Sequence, residues 1–256
     1  MNDAELARQI ADSAGRLLVD LRQSGLLEGK ALGKLGDQLA NLFIVQSLRA
    51  HRPADALLSE EEQDSAARLS AQRVWIVDPL DGTREYGEGR ADWAVHVALA
   101  VGGVATLGAV ALPGLPLTLG SSDALARPRH TGKLRIVVSR TRPAAEALAV
   151  ADALGAELIP MGSAGAKIMA VVRGEADVYL HSGGQYEWDS CAPVAVAQAA
   201  GLHVSRLDGA ALRYNQANTY MPDLLVCPTD LAARIIKLAA QNPPGAAPPR
   251  PGVSGL

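Results

Sequence analysis

The sequence predicts a layered α/β protein built from two lobes. The first half pairs two long amphipathic segments with several apolar, strand-like runs, and the second half alternates such runs with helical segments of ten or more residues. The chain has 256 residues, 48% apolar and 20% charged, which is enough to bury a large core without disulfides. We expect an N-terminal lobe over 1–125, a C-terminal lobe over 126–240 and a disordered Pro/Gly-rich tail over 241–256.

Helices come first in the N-terminal lobe. Apolar residues at helical spacing predict a helix over residues 2 to 24, at Leu6, Ile10, Leu17, Leu18 and Leu21. Residues 25–36 are glycine-rich and polar, which favours a connecting loop. We expect a second helix to begin after Asp37, which is well placed as its N-cap, and to end before Pro53.

Strands follow these two helices. Short strands are expected at 56–58 and 74–77, where VWIV has the β-branched and aromatic residues of a core strand. No charged residue occurs from Ala94 to Ser122, a length that could cross a membrane. Gly102-Gly103 divides this run, however, and two prolines interrupt its second half. A buried hairpin, AVHVALAV and VATLGAVAL, is therefore the better interpretation, and no membrane association is expected.

After Lys133, in the C-terminal lobe, the sequence pattern changes to strands that alternate with helices. It predicts the strands LRIVVS, ELIPM, DVYL and LHVS, separated by helices begun at Arg142-Pro143, in SAGAKIMAVVR and in WDSCAPVAVAQAA. The connection between the lobes is expected at 121–132.

Composition and charge exclude several classes of partner. A net charge of −3 argues against binding a nucleic acid polymer, although a small anion could bind through a cation. Two cysteines without ligand-spaced neighbours do not predict a zinc site. The N-terminal residues lack the pattern of an export signal, and we expect a reduced, cytoplasmic protein.

Acidic residues stand at the ends of three predicted elements. Glu60, Glu61 and Glu62 follow ALLS, Asp78 and Asp81 follow VWIV, and Asp189 begins a helix. Separately they could be a solvated loop, a turn and a helix cap. Together, Asp78, Asp81 and the Leu80 carbonyl could converge on one point, with free N–H groups beyond Gly82 facing an anion. Oxygen ligands favour Mg²⁺ or Mn²⁺ over zinc, which points to metal-assisted phosphate chemistry.

Three motifs carry a family resemblance. LLSEEE at 57–62, WIVDPLDGT at 75–83 and EWDSCAP at 187–193 resemble the metal-binding signatures of the inositol monophosphatase superfamily. The resemblance implies an αβαβα sandwich of the inositol monophosphatase and fructose-1,6-bisphosphatase type, and a lithium-sensitive phosphatase with two or more Mg²⁺ ions. GSAGAK at 162–167 and ALRYN at 211–215 look most similar to CysQ-type 3′(2′),5′-bisphosphate nucleotidases. Those enzymes remove the 3′-phosphate of 3′-phosphoadenosine 5′-phosphate, a by-product of sulfate activation.

The resemblance also implies roles for individual residues. The first metal would be held by Glu60, Asp78 and the Leu80 carbonyl, and the second by Asp78, Asp81 and Asp189. Glu61 would support Glu60 from behind, with Glu62 in solvent. Thr83 would orient the attacking water and Asp37 would accept its proton, unless Asp37 is only a helix cap. The amides of Gly82 and Thr83 would hold phosphate oxygens.

Further residues are candidates for the nucleotide pocket. Lys167 could meet the substrate's other phosphate, with Gly162 and Gly165 allowing close approach, or could be a surface lysine. Tyr214 could line the pocket or hold a loop. His96 alternates within an apolar strand, which favours a core histidine with a satisfied polar partner.

The resemblance leaves the exact activity open. The alternatives are inositol-1-phosphate or fructose-1,6-bisphosphate hydrolysis, or a catalytically silent phosphate sensor, and a homodimer also remains open. The chain has KALGKLGDQLAN where relatives have a K-x-D-x-S-P-V-T-like loop that closes over the site and helps to bind a third metal.

Overall fold

The computed structural model describes residues 1–125 and 132–241. Its helices are α1 (Asp3–Gln23), α2 (Gly29–His51), α3 (Thr83–Gly87), α4 (Ala145–Leu154), α5 (Ala164–Val172), α6 (Glu187–Ala199) and α7 (Thr229–Ala240), with a short 3₁₀ helix at Ala66–Ser70. Its strands are β1 (Ala56–Ser59), β2 (Arg73–Asp81), β3 (Ala94–Val101), β4 (Val104–Leu112), β5 (Leu117–Gly120), β6 (Arg135–Ser139), β7 (Glu157–Met161), β8 (Val178–Tyr186), β9 (His203–Ser205) and β10 (Tyr220–Cys227).

The strands form two mixed five-stranded sheets. The first has the order β1-β2-β3-β4-β5, in which only β1 and β2 are parallel. The second has the order β7-β6-β8-β10-β9, in which β6 is parallel to both β7 and β8. β10 runs antiparallel to β8 and β9.

Three apolar clusters divide the fold into five layers. α1 and α2 cover one face of the first sheet, around Trp75 and Val97. α5 and α6 lie between the sheets, where Ile168 and Val196 share a cluster with Ile76 of one sheet and Val226 of the other. α4 and α7 cover the outer face of the second sheet. The order is therefore α/β/α/β/α, and the predicted fold class is confirmed.

The start of α2 corrects the sequence interpretation. The helix begins at Gly29 rather than after Asp37, so residues 29–36 are not a loop and Asp37 is not the N-cap, which is Glu28. The glycines that suggested a loop allow close packing on α3: a Cβ on Gly33 would lie 2.9 Å from Thr83 Cγ2, and one on Gly87 would lie 2.5 Å from the Gly29 carbonyl oxygen. This packing compensates for the poor helix propensity of glycine.

Other boundaries also differ. β2 continues through Pro79 to Asp81 instead of ending before Asp78, and β5, β10 and α7 were not predicted. α1 and the β3–β4 hairpin match the prediction, with positive φ at Gly102 and Gly103 in the turn. Residues 126–131 and 242–256 lie outside the described residues, so the tail and the lobe division remain predictions. None of the described helices combines the length and apolarity needed to cross a bilayer.

Candidate active site

The end of β2 presents two carboxylates, those of Asp78 and Asp81, and the backbone carbonyl of Leu80 within four consecutive residues. Pairing with β3 shifts register between Asp78 and Asp81, so Pro79, which has no N–H to donate, lies in the irregular part of the strand. The Leu80 N–H donates to Asp78 Oδ1 at 3.1 Å, which fixes that carboxylate. The Leu80 carbonyl accepts from Thr83 Oγ1 at 3.0 Å. Gly82, with φ of 90°, then turns the chain into α3.

Two further carboxylates come from neighbouring elements. β1 pairs in parallel with β2, and the Glu60 N–H donates to the Val77 carbonyl at 3.3 Å, which brings Glu60 beside Asp78. Asp189 lies in the first turn of α6, where its Oδ2 accepts from the Tyr186 N–H at 2.7 Å. The predicted metal ligands are therefore brought together.

Crowding changes the acidity of these groups. Burial, followed by the charge of Asp81, raises the pKa of Asp189 to about 8. Burial and the charges of Glu60, Asp81 and Asp189 raise the pKa of Asp78 well above its usual value. Glu60 keeps one side exposed, yet desolvation of its carboxylate and the charge of Asp37 also raise its pKa. Such a concentration of oxygen donors fits divalent cations, whose charge would relieve the repulsion.

Asp81 behaves differently from its neighbours. Burial would raise its pKa, but contacts with His96, Ser163 and the Gly165 N–H outweigh burial and lower the pKa. Ser163 Oγ and the Gly165 N–H each donate to Asp81 Oδ2 at 2.6 Å. His96 and the start of α5 therefore favour the ionised form of this carboxylate.

Asp37 and Thr83 meet across the packed helices α2 and α3. Asp37 is buried, and one of its carboxylate oxygens, Oδ1, has no hydrogen-bond partner among the described residues. Burial and the charge of Glu61 raise the pKa of Asp37 to about 7, although the neighbouring Thr83 hydroxyl group opposes the shift. A carboxylate with this pKa beside a hydroxyl group can accept a proton near neutral pH.

Cavities open on both sides of the carboxylates. One, of about 860 Å³, is lined by Asp37, Thr83, Glu61, Lys30 and Lys34 among others. The other, of about 430 Å³, lies at the second sheet, and its lining includes Asp81, Gly82, Asp189, Arg142, Gly162, Lys167 and His181. The second cavity has the size and polarity of a site for a small polar ligand.

The GSAGAK segment lies at the second cavity, but its residues have structural partners. The Lys167 ammonium group is buried and donates to the Gly162 carbonyl, so Lys167 is not a surface lysine. A Cβ on Gly162 would lie 2.3 Å from Glu85 Cγ, and one on Gly165 would lie 2.0 Å from His96 Nε2. These glycines make room for protein side chains, and Gly162 also lines the second cavity, so its approach to the nucleotide stays a prediction.

Other expectations need similar correction. Tyr214 is buried, its hydroxyl group lies 3.2 Å from Ser190 Oγ, and its N–H donates to the Gly103 carbonyl at 3.0 Å. It holds a loop and is absent from the lining of both cavities. Glu62 is not free in solvent, because it accepts from Asn41 Nδ2 at 2.9 Å and Arg49 at 3.1 Å. Glu61 is exposed and faces Asp37.

Sequence reasoning missed the closeness of His96 to the carboxylates. Among the described residues, Asp78, Asp81 and His96 each offer an atom within 4.8 Å of the others. The signal was available, since pairing of the hairpin with the preceding strand places His96 opposite Asp78. The contact of Ser163 with Asp81 joins elements 82 residues apart and left no local signal.

Comparison with known proteins places this sequence among phosphatase relatives. The inositol monophosphatase family model matches residues 28–243. The 3′-phosphoadenosine 5′-phosphate phosphatase of Mycobacterium leprae is 50% identical over 247 residues, which cover 91% of each chain. The 3′(2′),5′-bisphosphate nucleotidase CysQ of Escherichia coli is 30% identical, covering 72% of this chain and 80% of its own.

Solved structures show the same architecture. CysQ from Bacteroides thetaiotaomicron superposes with a TM-score of 0.79 at 25% identity, covering 88% of this chain and 97% of its own. An inositol monophosphatase from Anabaena superposes with a TM-score of 0.75 at 21% identity, covering 94% and 96%, and supports the fold alone. By sequence and by fold, this chain belongs to the inositol monophosphatase family.

Proposed function

We propose that this chain is a Mg²⁺-dependent phosphatase that hydrolyses the 3′-phosphate of 3′-phosphoadenosine 5′-phosphate, giving AMP and phosphate, and that it serves sulfate assimilation in the cytoplasm. The observation that carries the proposal is the convergence of Glu60, Asp78, Asp81 and Asp189 beside the Leu80 carbonyl. The choice of substrate rests on the 50% identical relative of that name.

The donor set fits two divalent cations. Glu60, Asp78 and the Leu80 carbonyl would hold one, and Asp78, Asp81 and Asp189 would hold the other. All are hard oxygen donors, which suit Mg²⁺ and also Mn²⁺. When bound, such cations supply an acidified water and neutralise charge on the phosphate.

Thr83 and Asp37 would handle the water and its proton. The Thr83 hydroxyl group donates to the Leu80 carbonyl and neighbours the Asp37 carboxylate. This arrangement would hold a water oxygen beside Thr83, and Asp37 would take the proton. No protein nucleophile is needed, since phosphoryl transfer depends mainly on positioning and electrostatic stabilisation. The amides of Gly82 and Thr83 would bind phosphate oxygens at the start of α3.

The nucleoside and its 5′-phosphate would occupy the cavity of about 430 Å³. Lys167 stabilises the wall of this cavity from the protein interior, where its ammonium group donates to the Gly162 carbonyl. Arg140 already donates to Glu85 at 2.7 Å and Glu88 at 2.9 Å. Arg142 is exposed, and its guanidinium group has no side-chain partner in the described parts of the chain. Arg142 is thus the cation best placed for the phosphate that is not cleaved.

The proposal is tested by phosphate release from 3′-phosphoadenosine 5′-phosphate, inositol-1-phosphate and fructose-1,6-bisphosphate on one preparation, with and without Mg²⁺. We expect the highest kcat/KM for the nucleotide and no release in EDTA. Asp78→Asn should retain less than about a tenth of wild-type turnover, a barrier increase of at least about 1.4 kcal/mol. The exposed Asp152→Asn is the matched control.

Each alternative has its own outcome. Preference for inositol-1-phosphate or fructose-1,6-bisphosphate would replace the substrate assignment. Nucleotide binding without turnover in Mg²⁺ or Mn²⁺ would favour a phosphate sensor.

A further inference from the structure

His96 lies against the carboxylate cluster, and the proposed chemistry does not use it. It is fully buried on β3, directly opposite Asp78 in the strand pairing. Its Nε2 is 3.3 Å from Asp81 Oδ2, and its Nδ1 is 3.0 Å from the carbonyl oxygen of Trp188. Trp188 immediately precedes Asp189, so one ring nitrogen faces the carboxylate of a proposed ligand and the other faces the peptide group that leads into a second proposed ligand.

The tautomer at Nδ1 follows from this geometry. A carbonyl oxygen can only accept a hydrogen bond, so Nδ1 carries a proton and donates to Trp188. That bond ties the first turn of α6 to β3. Nδ1 also lies 4.0 Å from Asp78 Oδ2, which brings the ring close to a third proposed ligand.

The position of the imidazole ring is fixed by α5. A Cβ on residue 165 would lie 2.0 Å from His96 Nε2, so only glycine leaves room for the ring. The Gly165 N–H donates to the same Asp81 oxygen that Nε2 faces. The ring is therefore enclosed by β3, α5 and α6, at the place where Asp81 and Asp189 approach each other.

We infer that His96 is a positioning residue that sets Asp81 and Asp189 at the separation required to hold the second cation. The inference rests on the proposed function, since it assumes the two-cation site. His96 acts through these neighbours and contacts neither substrate nor the attacking water. Residues of this kind behind metal ligands alter metal affinity about 10- to 100-fold when they are changed.

Two substitutions separate the two contacts of the ring. In His96→Asn, the amide nitrogen can occupy the position of Nδ1 and keep the bond to Trp188, while the contact with Asp81 is lost. In His96→Leu, both contacts are lost and apolar bulk is kept. His203→Asn on β9 is the matched control, because His203 contacts Ser205 Oγ at 2.8 Å and none of the ligands.

The measurement is Mn²⁺ binding to the full chain, read from the electron paramagnetic resonance signal of free Mn²⁺. We expect two sites in the wild type and in His203→Asn. One of the two sites should lose affinity about tenfold in His96→Asn and about a hundredfold in His96→Leu, while the other site is unchanged. Circular dichroism and thermal unfolding check the fold. If His96→Leu does not fold, the Mn²⁺ affinities of His96→Asn alone test the positioning role.

Three results would overturn the inference. Wild-type affinities at both sites in the variants would remove any positioning role. Equal weakening of both sites would indicate general damage to the cluster. The pulsed-resonance signature of a directly bound imidazole nitrogen in the Mn²⁺-loaded wild type would make His96 a ligand instead. Fewer than two Mn²⁺ ions in the wild type would count against the proposed function itself, and this result needs no variant.

Discussion

Two basic side chains at the second cavity, those of Lys167 and Arg142, differ in what they can offer a substrate phosphate. Lys167 has its ammonium group buried, bonded to the Gly162 carbonyl and 5.5 Å from the centre of the Tyr179 ring. Burial lowers the pKa of Lys167, although the charge of Asp81 opposes the shift. Arg142 is exposed at the rim beside Gly184. A guanidinium group also matches the fork of phosphate oxygens better than an ammonium group does.

We therefore expect Arg142→Ala to weaken the nucleotide selectively. Loss of a charge-assisted contact to the 5′-phosphate should lower kcat/KM for 3′-phosphoadenosine 5′-phosphate about 10- to 100-fold. Hydrolysis of inositol-1-phosphate, which has no second phosphate, should change little. Steady-state kinetics on both substrates provide the measurement, and the exposed Arg213→Ala is the control.

Lys167→Ala provides the contrast. Because the lysine is part of the cavity wall, its loss should reduce both activities together with thermal stability. A selective loss of nucleotide hydrolysis in Lys167→Ala, with none in Arg142→Ala, would assign the 5′-phosphate contact to Lys167 instead of Arg142.

At the scale of elements, the packing of α2 on α3 determines how Asp37 meets Thr83. Asp37 lies one helical turn beyond Gly33, the residue that touches Thr83. α3 has only five residues, so its position depends on such contacts. The helix covers residues 29–36, the segment where the family resemblance implied a loop that closes over the site.

Gly33→Ala tests this packing. The new methyl group would lie 2.9 Å from Thr83 Cγ2 and 3.0 Å from the Thr83 carbonyl oxygen, forcing the two helices apart. A displacement of about 1 Å at reacting groups can cost about a hundredfold in rate, and we expect kcat to fall by about that factor. Alanine raises helix propensity, so thermal stability should change less than activity.

The control for Gly33→Ala is Leu35→Ala, an exposed position on the same helix. Wild-type kcat in Gly33→Ala would show that the contact does not position Thr83.

Sequence patterns predicted the elements that have a clear period and failed where long-range packing decides. The stripe of α1 and the β3–β4 hairpin are local patterns. The start of α2 depends on a partner helix 50 residues further along the chain, and glycine density alone suggests a loop there. The acidic motifs identified the carboxylates that the fold brings together, whereas the contacts of Gly165, Tyr214 and Glu62 depend on the assembled fold. β10 follows a long irregular segment, whereas α7 is an exception: Ala232, Ile235 and Ala239 recur at helical spacing on its buried face, a signal that the prediction missed.

Over the whole molecule, the site concentrates negative charge that the rest of the fold has to tolerate. The pKa values of Asp37 and Asp189 rise from 3.8 to about 7 and about 8, respectively. Between pH 3.8 and these raised values, the folded protein therefore binds protons more tightly than the unfolded chain. The stability gained by protonation is complete below about pH 4 and is lost as pH rises through 7 and 8.

We expect the melting temperature of the metal-free protein to fall between about pH 5 and about pH 8 for this reason. Mg²⁺ should replace the protons, raising the melting temperature most at the upper end and flattening the dependence. Calorimetric melts in EDTA and in Mg²⁺ across this range provide the measurement. Equal slopes under the two conditions would show that the carboxylates do not hold the cation.

The irregular end of β2 has one more consequence, for how such a site can change in evolution. One proposed ligand is the carbonyl oxygen of Leu80, which every amino acid carries and which no side-chain substitution deletes. The Leu80 side chain is buried among apolar residues, so selection there acts on fit to the core and leaves the donated oxygen unchanged. Drift at position 80 can therefore repack the core while the chemistry persists, and comparison of side chains alone would undercount the ligands.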